Sequence, residues 1–125
     1  MSKNRILVVD DDKALATITS KMLSRENYQV DVVNGYQDAL SKATEGVYEL
    51  IILDVMMPGM TGLEVCEILR DKGCEVPILF LTAKTGSLDV LKGYSAGGTD
   101  YLCKPYERSE LLSKVASLLG ESDED

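Results

Sequence analysis

The chain has 125 residues, 45% of them hydrophobic, which fits one globular domain with a real core. Lys and Arg total 13 against 21 Asp and Glu, a net charge of −8 that argues against nucleic acid as a direct partner, because phosphate neutralisation needs a basic face. There is no histidine, which removes the commonest general base and transition-metal ligand and excludes serine–histidine and cysteine–histidine nucleophile pairs. No apolar run approaches the roughly 20 residues needed to cross a bilayer. Residues 1–5 lead into a strand without a signal-peptide apolar segment, so the chain reads as cytoplasmic, with no membrane partner. Cys66, Cys74 and Cys103 form no C-x-x-C pair and read as reduced, partly buried thiols.

Five apolar, β-branched runs alternate with five helical patterns. The first strand, over 6–9, stops abruptly at Asp10-Asp11-Asp12. A helix is expected from near Asp12, a good N-cap, with Leu15, Ile18 and Met22 on its inner face. A strand over 30–33 leads to a helix over about 36–45 that closes at Gly46. The third strand, Leu50-Ile51-Ile52-Leu53, ends in Asp54. A third helix follows Gly62, with Val65, Ile68 and Leu69 inward and Gly73 as its stop. The fourth strand, over 78–81, runs into Thr82-Ala83, and a fourth helix over about 87–96 precedes Gly97-Gly98. A short strand over 101–103 comes before Lys104-Pro105. The last helix, over about 108–119, carries Leu111, Leu112, Val115, Leu118 and Leu119 and closes at Gly120. Residues 121–125 hold half of the net charge and read as a solvated, disordered acidic tail, which leaves 1–120 as the domain.

This (βα)5 alternation predicts an α/β fold, a doubly wound parallel sheet with right-handed crossovers and helices on both faces. The flavodoxin-like strand order 2-1-3-4-5 is the common solution at this length, and ligands then bind at the carboxyl ends of the strands. The first and third strands become neighbours, so Asp10, Asp11 and Asp54 converge. Clustered carboxylates raise one another's pKa and are stable as anions only with a cation among them, Mg²⁺ before others. The fourth strand end adds the Thr82 hydroxyl and the fifth adds the Lys104 ammonium. Such a set suits phosphoryl transfer, which needs positioning and charge neutralisation more than acid–base work. Asp54, alone at its strand end, is the candidate acceptor, forming an acyl phosphate. Pro58, Gly59 and Gly62 allow the tight turn that leaves its side chain open to a donor.

The pattern Val8-Val9-Asp10-Asp11-Asp12, Asp54-x-x-Met57-Pro58-Gly59-Met60-x-Gly62, Leu81-Thr82-Ala83 and Asp100-Tyr101-Leu102-x-Lys104-Pro105 closely resembles the response-regulator receiver domain of two-component signalling systems, over residues 5–119. The resemblance implies that Asp54 is the phosphoacceptor. It implies that Asp11 and Asp54, the Met56 carbonyl and waters bind Mg²⁺ (or Mn²⁺), with Asp10 assisting through water. Thr82 and Lys104 would bind phosphoryl oxygens, and the Lys104-Pro105 bond is often cis in such proteins. Met56 and Lys84 flank the site. Thr82 and Tyr101 would form the switch, Tyr101 turning inward to reshape the face of the fourth helix, fifth strand and fifth helix. The implied donor is a phosphohistidine on a histidine kinase or phosphotransfer protein. The implied output is an effector domain or protein, with a phosphorylation-dependent dimer among the assemblies. The domain would act on itself alone and would not be an enzyme with a separate substrate. Thr99, Cys103 and Tyr106 stand where such domains often carry an acid, Thr and Phe.

Asp12 reads as a helix cap rather than a ligand. Met56, Met57 and Met60 read as loop packing rather than a soft-metal site, and Tyr94 and Tyr106 read equally as surface aromatics. Two other classes compete. A phosphatase of the haloacid dehalogenase type also uses an aspartyl nucleophile, but Asp54-Val55-Met56 lacks its second Asp. A receiver-like scaffold that is never phosphorylated would not need Asp11, Asp54, Thr82 and Lys104 together.

Overall fold

The computed structural model describes residues 4–83 and 97–121. Among these residues the elements are β1 Arg5–Val9, α1 Lys13–Ser24, β2 Gln29–Val33, α2 Tyr36–Ala43, β3 Leu50–Asp54, α3 Gly62–Asp71, β4 Ile78–Ala83, β5 Asp100–Lys104 and α4 Arg108–Leu118. The helix expected over 87–96, together with Lys84 and Tyr94, lies outside the described residues, as does the tail beyond Glu121.

The five strands are parallel and ordered β2-β1-β3-β4-β5, the flavodoxin-like arrangement. The inner strands β1, β3 and β4 are apolar at nearly every position because both faces are covered. Alternate residues serve opposite layers. Leu7, Val9, Ile51, Leu53, Ile78 and Phe80 pack with Ala39 and Ala43 of α2 and Val65, Cys66 and Leu69 of α3. Ile6, Val8, Leu50, Ile52, Leu79 and Leu81 pack with Ala16 and Leu23 of α1 and Leu111 and Val115 of α4. By the same alternation Asp10, Asp54 and Lys104 continue the second face, whereas Thr82 and Tyr101 continue the first.

The buried face of α1 differs from expectation by one residue. Ala16, Thr19 and Leu23 are the buried positions, Leu15 and Met22 are half-buried, and Ile18 is 50% exposed. The helix carries an apolar stripe wider than the sheet can cover, and only its later edge seats on β1. α2 ends at Ala43, two residues short of the expected limit, and Gly46 at φ +77° follows. No described helix is long and apolar enough to cross a membrane.

Candidate functional site

β1 and β3 pair in the register Val9↔Leu53, so the residues that follow, Asp10 and Asp54, emerge side by side. Asp10 is fully buried, Asp54 is 5% exposed, and Asp11 faces solvent. Carboxylate oxygens of the three lie within 4.8 Å of one another. Asp12 stands aside as the N-cap, its carboxylate accepting from Leu15 N at 3.1 Å. The turn is pinned by Asp12 N donating to Asp10 Oδ1 at 3.0 Å and Asn34 Nδ2 donating to the Asp10 carbonyl at 3.0 Å.

Lys104, at the end of β5 and followed by a cis bond to Pro105, reaches into this cluster. Its Nζ lies 3.2 Å from Asp54 Oδ2 and 3.3 Å from Asp10 Oδ2. Among the described residues one ammonium thus serves two buried carboxylates, with Asp11 close beside them. Burial raises the Asp54 pKa, Lys104 opposes and Asp10 adds to the rise, and the balance leaves it at about 7. Burial alone would lower the Lys104 pKa, but the two carboxylates outweigh it and hold the ammonium above its usual value.

Among the described residues the buried Thr82 Oγ1 has no hydrogen-bond partner, and the buried Asp10 Oδ2 has only its ion pair with Lys104. Thr82 is 2% exposed, one residue past the Asp54↔Leu81 pair. An oxygen-only donor set in which three carboxylates gather around one described ammonium fits a hard divalent cation. Tyr101 pairs with Phe80 and Cys103 with Thr82, so Tyr101 and Thr82 are diagonal neighbours on one face. Tyr101 is half-buried against the first layer, with Lys114 Nζ 5.4 Å from its ring centroid.

The loop after Asp54 needs its two glycines for different reasons. Gly59 adopts φ +85°, the left-handed region a turn after Pro58 calls for. Gly62, at the start of α3, has no room for a side chain. A Cβ there would stand 2.2 Å from the Asp54 carbonyl oxygen and 3.1 Å from Val55 Cα. The sequence pattern pointed to both residues but could not separate turn geometry from close approach. Met57 is buried and Met60 packs against the same layer, as loop packing predicts, but Met56 is 64% exposed and its N–H points to Asp54 Oδ1 at 3.4 Å.

Sequence reasoning missed the groove beside Asp54. It encloses about 510 Å³ and is lined by Leu15, Ile18 and Met22 of α1, with Met56, Pro105 and Tyr106 opposite. The signal was present as the apolar stripe of α1, read there as core. Tyr106 is not a simple surface aromatic either, since it is half-buried and its hydroxyl bonds to Thr19. Thr99 Oγ1 accepts from Ile78 N at 3.1 Å, a role in joining β4 to the lead-in of β5.

The fold and this cluster have known counterparts. A profile of the response regulator receiver domain matches residues 6–116, and the chain belongs to that family, a signalling domain of two-component systems. It is 44% identical over 115 residues to the transcriptional regulatory protein PcoR of Escherichia coli, a match covering 92% of this chain and 51% of that protein. It is 41% identical over 124 residues to the DNA-binding response regulator MtrA of Mycobacterium tuberculosis (strain ATCC 25618 / H37Rv), covering 98% and 54%. The chain thus spans about half the length of these curated relatives. Among solved structures, chemotaxis protein CheY4 of Vibrio cholerae superposes with a TM-score of 0.87 at 31% identity, covering 94% of this chain and 99% of that one. The receiver domain of Francisella response regulator 1452 superposes with a TM-score of 0.88 at 29% identity, covering 94% and 98%.

Proposed function

We propose that this chain, with 1–120 as the working domain, is a phosphoacceptor switch loaded at Asp54 by a phosphohistidine on a sensor kinase or histidine phosphotransfer protein. The carrying observation is the convergence of the Asp10, Asp11 and Asp54 carboxylates, with the Lys104 ammonium paired to Asp10 and Asp54. An Asp54 oxygen attacks phosphorus, the P–N bond breaks, and the electron pair stays with the imidazole nitrogen, leaving an acyl phosphate. Lys104, already 3.2 Å from Asp54 Oδ2, neutralises charge on the phosphoryl oxygens. Asp10, Asp11, Asp54 and the Met56 carbonyl would hold Mg²⁺ (or Mn²⁺), which supplies further neutralisation when bound. The buried Thr82 hydroxyl gains a partner in a phosphoryl oxygen. Movement of Thr82 toward it makes room for Tyr101, its diagonal neighbour, and changes the surface of β5 and α4.

The donor side is supported by the groove. Its apolar lining is continuous with Asp54, and Ile18 and Met56 stand in solvent at its rim, which fits a protein donor that covers them. The output side is supported by the curated relatives, one a transcriptional regulatory protein and one a DNA-binding response regulator, each about twice as long, which fits a downstream effector domain or protein as the target of the switch.

Intact mass after incubation with acetyl phosphate and Mg²⁺ tests the reading, with wild type beside Asp54→Asn. The expected result is one labile phosphoryl group on wild type alone, and none on either protein when Mg²⁺ is withheld. A modified Asp54→Asn protein would move the acceptor elsewhere. No modification of either protein, even by a phosphohistidine donor, would leave a protein-binding scaffold.

A further inference from the structure

Four polar or charged residues among those described are buried: Asp10, Asp54, Thr82 and Thr19. The first three belong to the acceptor site. Thr19 is fully buried in the middle of α1. A threonine inside a helix often returns its hydroxyl to the carbonyl four residues back, as Thr17 does to Lys13 at 2.9 Å. The Thr19 hydroxyl instead crosses to the Tyr106 hydroxyl.

Tyr106 follows Lys104-Pro105, and its ring lines the groove opposite Leu15, Ile18 and Met22. Thr19 lies on the same helix as those three but does not line the groove. The hydroxyl pair therefore ties the two walls together from behind, out of reach of anything that docks. Burial raises the Tyr106 phenol pKa, so the group stays neutral and keeps its proton for the bond. A phenylalanine at 106 would keep the ring and leave the Thr19 hydroxyl buried without that partner.

We propose that the Thr19–Tyr106 hydroxyl pair is a positioning device that holds the groove beside Asp54 in the shape a protein phosphodonor docks into. It acts on docking and leaves the phosphoryl chemistry alone. A preformed groove binds better than one that must be ordered by the donor, because less freedom is lost on association. The inference rests on Asp54 being the acceptor.

The test compares wild type, Thr19→Val, Thr19→Ser, Tyr106→Phe and the Thr19→Val/Tyr106→Phe double variant. Two donors are used: acetyl phosphate with Mg²⁺, and a phosphorylated histidine phosphotransfer protein first shown to load wild type. Thr19→Val is the decisive variant, because it removes one buried hydroxyl at nearly constant volume. It should raise KM for the protein donor about fivefold with kcat nearly unchanged, and leave the acetyl phosphate rate within about twofold. Thr19→Ser should restore KM, Tyr106→Phe should match Thr19→Val, and the double variant should be no worse than either. An unchanged protein-donor KM in Thr19→Val, a parallel fall with acetyl phosphate, or additive losses in the double variant would each overturn the proposal. Wild type that accepts from neither donor would overturn the acceptor reading itself, a different failure.

Discussion

Two carboxylate networks in this molecule use similar parts to opposite ends. Near the start of β1, Asp31 accepts from the Tyr48 hydroxyl at 2.6 Å and pairs with Arg5 at 3.1 Å, while Arg5 lies 5.7 Å from the Tyr48 ring centroid. The Tyr48 hydroxyl is the main cause holding the Asp31 pKa below its usual value, against some burial and with help from Arg5. Burial first, and then the same bond, push Tyr48 up to about 12. At the carboxyl ends of β1 and β3, Asp54 also has a basic partner, yet its pKa is raised. The difference is burial first and supply second. Asp31 has a donor and a cation to itself, whereas Asp54 shares one ammonium with Asp10 in a dry site. A satisfied carboxylate stabilises the fold, and an undersupplied one is ready for a ligand that brings positive charge or takes up its lone pair.

The comparison breaks most readily at Gly62. Gly62→Ala would press a methyl onto the Asp54 carbonyl, and unfolding should become easier by about 2–3 kcal/mol, a fall of about 10 °C in Tm. A calorimetric scan showing unchanged stability would mean that α3 is free to shift away from β3.

Asp54→Asn sharpens the contrast, with a smaller effect of opposite sign. The Asp54 carboxyl titrates at about 7 when folded against 3.8 ordinarily, so the folded protein holds its proton more tightly between those values. Stability from this group is therefore complete below about pH 4 and is lost as pH rises toward 7. In chelator, Asp54→Asn should be more stable than wild type by about 1–2 kcal/mol at pH 8, with no gain at pH 4. Added Mg²⁺ should narrow the gap by stabilising wild type. Urea midpoints at the two pH values, with and without the metal, measure all of this, and a wild type that is steadier at pH 8 would contradict it.

Asp31 should show the reverse dependence at the smallest size. Its lowered pKa contributes stability above about pH 4 that disappears as pH falls below that value. Asp31→Asn should cost about 0.5–1 kcal/mol at pH 7, since the pair with Arg5 is well exposed, and nothing in strong acid. Equal pH responses in Asp31→Asn and Asp54→Asn would erase the distinction between the two networks.

Much of the site was legible because its residues sit at ends of local patterns. An apolar run that stops at Asp10-Asp11 or at Asp54 shows where a strand leaves the core, and the strand–helix alternation fixes which ends meet. The hydroxyl of Thr82 and the ammonium of Lys104 follow by the same logic. The burial of Asp10 beside exposed Asp11 did not follow, because adjacent residues differ only in which way the turn aims them.

From the sequence alone came the five-strand alternation, the parallel order and the acids gathered at one edge, since periodicity reports which residues avoid water. The packed chain alone decided which edge of the α1 stripe seats on the sheet and which lines a groove. It also decided that Gly62 must yield to a carbonyl and that Thr19 meets Tyr106. Those outcomes depend on contacts between segments far apart in sequence, and the pattern within one segment carries no record of what another segment will place against it.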